Sequence, residues 1–206
     1  TESVGGSSLA VSGSYSSSDQ TSVILTLTGV TSNNTSLTIS PNYDDATGTI
    51  IDNAGNEMSF SEFVSGTDGA APAILATSTL DGDKDGQIDQ ILVTLSETIT
   101  DGSSTLDNTT FTVAGYTVSG TSTGSANDNQ VLISLTESGS GDTDATPDVV
   151  LVTAKISDGT NALASDQTFT GTTDGAAPAI FAANTLDDDK DGQIDQILVT
   201  LSETIT

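Results

Sequence analysis

The stretch TDGAAPAILATSTLDGDKDGQIDQILVTLSETIT at residues 67–100 returns as TDGAAPAIFAANTLDDDKDGQIDQILVTLSETIT at residues 173–206, with four differences and a constant offset of 106. Working outward, Val23-Ile24-Leu25-Thr26-Leu27-Thr28 corresponds to Val131-Leu132-Ile133-Ser134-Leu135-Thr136, and the turn Ile51 to Asn56 corresponds to Ile156 to Asn161. Residues 67–172 therefore form one whole repeat. Residues 1–66 read as the C-terminal two-thirds of a repeat, and residues 173–206 as the first two strands of the next. A unit of this length is too long for one coil of a solenoid and suits a β-sandwich domain.

Within the whole repeat, short segments of alternating apolar residues are bounded by Gly, Asn, Asp and Ser, the pattern of half-buried strands. Ile91, Val93 and Leu95 form one such face, Phe111 and Val113 a second, Val131, Ile133 and Leu135 a third, and Val150, Val152 and Ala154 a fourth. With an opening strand at 73–76, a closing one at 167–170 and a weak one near 116–124, the count is about seven. The fold class expected is all-β, in tandem β-sandwich repeats of about 100–106 residues. The junction Thr-Asp-Gly-Ala-Ala-Pro reads as a short, stiff linker.

Composition narrows the chemistry. Three Lys and no Arg face 29 Asp plus Glu, for a net charge of -26, and the chain has no His, Cys or Trp. Zinc sites of the usual kind, Ser-His-Asp and Cys-His nucleophiles, and disulfides are excluded. So acidic a surface repels phosphate backbones and anionic lipids, so neither nucleic acid nor a membrane is an expected partner. Leu, Ile, Val and Phe supply 48 residues, just above the level at which a folded core becomes doubtful. The Thr- and Ser-rich composition points to an extracellular all-β protein. The opening Thr1-Glu2-Ser3 is no export signal, so any signal or anchor is expected outside these residues.

One motif carries chemistry. Asp81, Asp83 and Asp85 stand at positions 1, 3 and 5 of a loop with Gly86 at 6, Gln87 at 7 and Asp89 at 9. This is the first half of an EF-hand-type calcium loop. Asp187, Asp189, Asp191, Gln193 and Asp195 repeat it. The acid at position 12 is missing, because Leu92 and Leu198 stand there inside apolar strands. Calcium is the expected ion, held by the Asp carboxylates and the Gln87 and Gln193 carbonyls. A simple solvated acidic turn is the plainer alternative, and its double occurrence with the correct Gly argues against it. The missing ligand for the first site is expected from Asp174 at the following junction, with Asp68 serving the domain upstream. Asp44-Asp45 and the acids between Asp142 and Asp148 read as solvated loop charge.

The Pro-led first strand, the Asp-rich loop, the strand ending Val-Thr-Leu-Ser-Glu (93–97 and 199–203) and the D-x-A-G-N turn at 52–56 resemble the tandem immunoglobulin-like repeats of bacterial cell-surface adhesins, biofilm-associated proteins and S-layer proteins. In the whole repeat the turn departs from that pattern, as Asp158-Gly159-Thr160-Asn161. The resemblance implies a calcium-stabilised structural repeat of a filament, adhesin stalk or surface layer, outside the cell and without enzymatic activity. A ligand-binding module of an adhesin, or a non-catalytic repeat attached to a secreted carbohydrate-active enzyme, is the alternative. Placing Thr206 before Thr1 rebuilds a repeat, so residues 173–206 of one copy are expected to complete residues 1–66 of a neighbouring copy, head to tail.

Overall fold

Alternating Val, Ile, Leu and Thr with few helix formers favours strands, and a computed structural model has antiparallel strands and no α-helix among the residues it describes, which are 2–4, 7–15, 23–28, 52, 54–57 and 66–206. The elements are β1 (Glu2–Val4), β2 (Ser7–Tyr15), β3 (Val23–Thr28), β4 (Ile74–Leu80), β5 (Gln90–Leu95), β6 (Phe111–Val113), β7 (Thr117–Ser122), β8 (Gln130–Thr136), β9 (Val149–Leu151), β10 (Gln167–Phe169), β11 (Ile180–Leu186) and β12 (Gln196–Leu201). Two compact units divide at Gly69/Ala70. Asp44 and Asp45 lie outside the described residues.

In the first unit the described strands form one sheet in the order β1-β2-β3, both pairs antiparallel. In the second, a four-stranded sheet β4-β5-β8-β7 and a three-stranded sheet β10-β9-β6 share one buried cluster. Ile91, Val93, Val131 and Ile133 enter it from the first sheet, and Phe111, Val149 and Leu151 from the second. Seven strands thus enclose the core in a sandwich-like arrangement. The expected faces on β5, β6 and β8 are the buried ones.

One face is shifted by a residue. Val149 and Leu151 are buried, whereas Val150 and Val152 are half-buried and Ala154 is exposed. The run Val149 to Val152 is uniformly apolar, so alternation alone allows two phases, and a one-residue slip exchanges the faces. Pairing decides between them. Leu151 lies opposite Phe111 and Val149 opposite Val113, so the inward residues of β9 are those across from the inward residues of β6. Ala154, at φ 57, has already left the strand.

The β11–β12 hairpin belongs to the second unit. Its leading segment runs beside β4: the Thr79 N–H donates to the Thr173 carbonyl (3.1 Å), and the Thr173 N–H donates to the Thr77 carbonyl (2.9 Å). Thr143 and Ser202 share a buried hydroxyl–hydroxyl hydrogen bond of 2.7 Å. A Cβ on Gly141 would lie 2.8 Å from Ser202 Cα, so the hairpin base is seated by close backbone approach.

Candidate metal-binding loops

Loop 81–89 connects β4 to β5 and is closed by its own carboxylates. Asp81 Oδ1 accepts the Lys84 N–H (2.6 Å) and Asp81 Oδ2 the Gly86 N–H (2.9 Å). Asp85 accepts the backbone N–H and side-chain amide of Gln87 (2.9 and 3.0 Å), and Asp89 Oδ1 accepts the Gly82 N–H (2.9 Å). Gly86 sits at φ 91, where a side chain would be strained, which explains the Gly at that place in the motif. Lys84 holds φ 65, a left-handed conformation that costs a non-glycine residue roughly 1 kcal/mol. The turn tightness therefore has to be offset by what the loop gains.

The second loop repeats the scheme. Asp187 accepts from Asp191 and Gly192 (3.1 and 2.9 Å), Asp191 from the Gln193 N–H and amide (2.8 and 2.6 Å), and Asp195 from Asp188 (2.9 Å). Lys190 and Gly192 take the same left-handed angles, 61° and 89°. Folded twice from near-identical sequence, the loop is a local structure and does not depend on its surroundings.

Asp81, Asp83 and Asp85 bring carboxylate oxygens within 4.8 Å of one another, and so do Asp187, Asp189 and Asp195. Like charges this close repel strongly unless a cation or protons intervene. An all-oxygen set of three carboxylates suits a hard cation and offers nothing to a soft one. Asp174 is exposed and is not part of the Asp81 cluster. Its neighbours Thr173 and Gly175 bond to Thr79, two residues before Asp81, so it lies towards the loop's end of the sandwich. Asp68 is half-buried in the segment that closes the first unit.

Residues that the sequence reading passed over hold the first loop. Asp142 is no solvated charge: its Oδ1 accepts the Ile88 N–H (2.8 Å), and its Oδ2 accepts the hydroxyls of Tyr116 (2.9 Å) and Ser138 (3.1 Å). Burial, then the bond to Asp142, pushes the Tyr116 hydroxyl well above its ordinary pKa. The Gly139 N–H donates to the Gln87 side-chain carbonyl. Glu137 directly follows β8 and faces the loop. The Asp85 carboxylate, then burial and the charges of Asp83, Asp89 and Asp81, raises its pKa above the ordinary Glu range. Because β8 runs antiparallel to β5, the chain leaving β8 must return to the loop that enters β5. That strand order is the signal, and sequence alone does not give it.

At the other end of the sandwich, Glu97 is 4 % exposed and its carboxylate lies within 4.8 Å of that of Asp158. The turns of the two units share one scheme despite their different sequences. Asp52 accepts the N–H groups of Ala54 and Asn56 and the Asn56 amide, all at 2.8 Å. Asp158 accepts those of Thr160 and Asn161 (2.6 and 2.5 Å) and the Asn161 amide (3.0 Å). The Asn56 amide, followed by the Asn56 N–H, holds the Asp52 carboxyl below its ordinary pKa. The chain matches no family model, no curated protein and no solved structure.

Proposed function

We propose that this chain is a calcium-stabilised structural repeat of a long extracellular filament, adhesin stalk or surface layer, built from immunoglobulin-like sandwiches joined head to tail. The observation that carries the reading is the carboxylate cluster of Asp81, Asp83 and Asp85, formed by a left-handed turn and rebuilt at Asp187 to Asp195. In each loop the Asp side chains hold the ion, with the carbonyl of Gln87 or Gln193 as a further oxygen. Glu137 stands where it can replace the missing acid at position 12, besides Asp174. The ion would neutralise charge where a chain of net charge -26 concentrates it and fix the loop end of each sandwich. Acids committed to an ion are unavailable for proton transfer, so no catalytic role is assigned to them.

Calorimetric melting in millimolar calcium and in chelator tests this. Saturation at a hundred times the dissociation constant stabilises by about 2.7 kcal/mol, on the order of 10 °C in Tm for a domain of this size. Identical melting in both solutions removes calcium from the account.

A further inference from the structure

The sequence Gln-Ile-Leu-Val-Thr-Leu occurs as β5 and again as β12, in two different environments. On β5, Ile91 and Val93 are fully buried, as are Ile88 before the strand and Ile99 after it. On β12 and its flanks the matching Ile197, Val199, Ile194 and Ile205 are 63, 44, 66 and 62 % exposed. The difference is one of neighbours: β5 lies between β4 and β8, whereas β12 pairs with β11 alone, leaving its other edge open. A flat, uncharged, apolar edge of this kind binds another strand.

The missing neighbour can be identified within the chain. β3 is the edge strand of its sheet and carries no charged residue. Its sequence VILTLT parallels β8, VLISLT, and it is paired as β8 is. Leu27 lies opposite Val11 and Thr28 opposite Ala10, as Leu135 lies opposite Val118 and Thr136 opposite Thr117. The β2–β3 hairpin is thus a second β7–β8 hairpin that lacks its β5, and the β11–β12 hairpin is a β4–β5 hairpin that lacks its β8.

We propose that β12 of one copy adds to the edge of β3 in a second copy, completing a four-stranded sheet in the order β11-β12-β3-β2. This rests on the head-to-tail reading above and adds the strand pair and its register. The pairing of β5 with β8 fixes that register: Ile91 opposite Ile133, Leu92 opposite Leu132 and Val93 opposite Val131. Transferred through the repeat, it sets Ile197 opposite Leu25, Leu198 opposite Ile24 and Val199 opposite Val23. A second copy is favoured over closure on the same chain by connectivity. The chain enters the second unit at Ala70, before β4, and the β11–β12 hairpin packs beyond the end of β4, about 23 Å away for seven extended residues.

The Leu92–Leu132 pair lies between the hydrogen-bonded pairs of the ladder, since Leu135 donates to Asp89 and Leu95 to Asn129. Such narrow pairs accept a disulfide. Leu198 and Ile24 are 52 and 64 % exposed, and the chain has no native Cys. Mixing chains carrying Leu198→Cys with chains carrying Ile24→Cys under mild oxidation is expected to give a disulfide-linked heterodimer. The pair Leu198→Cys with Thr26→Cys, one step out of register, is expected to link roughly tenfold less. The doubly substituted chain should give a ladder of multimers. Ile197→Asp, placed on an already exposed face, should abolish linking while the chain's own melting stays unchanged. Absence of linking at high protein concentration, equal linking in both registers, or a double variant that links only within itself overturns the proposal. Melting in calcium and chelator reads the ions and not this contact, so either reading can fail alone.

Discussion

The Ile88 backbone N–H donates to Asp142 Oδ1 at 2.8 Å across 54 residues of sequence, and that bond fastens the end of the carboxylate loop to the segment after β8. Ile88 is fully buried, so no water can replace the acceptor. Asp142→Ala leaves this N–H and the Tyr116 hydroxyl without their partner. The expected cost is about 1–3 kcal/mol, or roughly 5–15 °C in Tm. Asp142→Asn keeps the oxygen for Ile88, and its amide can donate to the Tyr116 hydroxyl, so it should melt nearer to wild type. Equal melting of the two variants would show that the bond is incidental.

Asp81→Ala removes the acceptor of both Lys84 and Gly86 N–H groups and one carboxylate of the first cluster. The second loop closes through its own residues and should be unaffected. Titration calorimetry should therefore fall from two calcium ions per chain to one. A variant that still binds two ions places the first ion elsewhere.

How far the fold can be read from sequence differs from element to element. On β5 and β8 polar residues separate the apolar ones, so the inward face has a single phase. On β9 four consecutive apolar residues leave the phase to the partner strand, and Phe111 and Val113 set it. The loop 81–89 was legible because its hydrogen bonds lie almost entirely within nine residues. Asp142 and Glu137 were not, because only the antiparallel pairing of β8 with β5 carries them to that loop. Glu97 was visible as the end of a repeated motif, but its nearness to Asp158 is a product of the tertiary fold. The two late turns reach the same bonds with Asn four residues from Asp52 and three from Asp158, a likeness of geometry that their sequences conceal.

Gly141 marks where the β11–β12 hairpin seats on the sandwich. A Cβ there would come 2.8 Å from Ser202 Cα and 3.2 Å from the Ser202 carbonyl oxygen, both backbone atoms that cannot turn aside. Gly141→Ala should push the hairpin base away and break the Thr143–Ser202 bond. Limited proteolysis should then cut residues 173–206 faster, while the core of the sandwich keeps its own melting. Gly124→Ala, with open space around its Cβ, is the matched control. Equal cleavage of the two variants would mean that the hairpin is not held at this point.

Asp158 should give the chain a defined acid sensitivity. Burial pushes its carboxyl up, but the N–H groups of Asn161 and Thr160 and the Asn161 amide outweigh this and hold its pKa below the ordinary 3.8. A pKa lower in the folded than in the unfolded chain means that folding favours the ionised form. The stability it contributes is fully present above the ordinary value and is lost as pH falls through the depressed one. Asp158→Asn retains an acceptor oxygen but not the charge, and should cost about 1 kcal/mol at neutral pH. The many other carboxylates titrate in both proteins, so the difference between them isolates this group. Denaturant unfolding followed from neutral pH into the acid range should show the gap constant down to the ordinary Asp range and closing below it. A gap that stays constant to the lowest pH would mean that the charge on Asp158 contributes nothing to the turn.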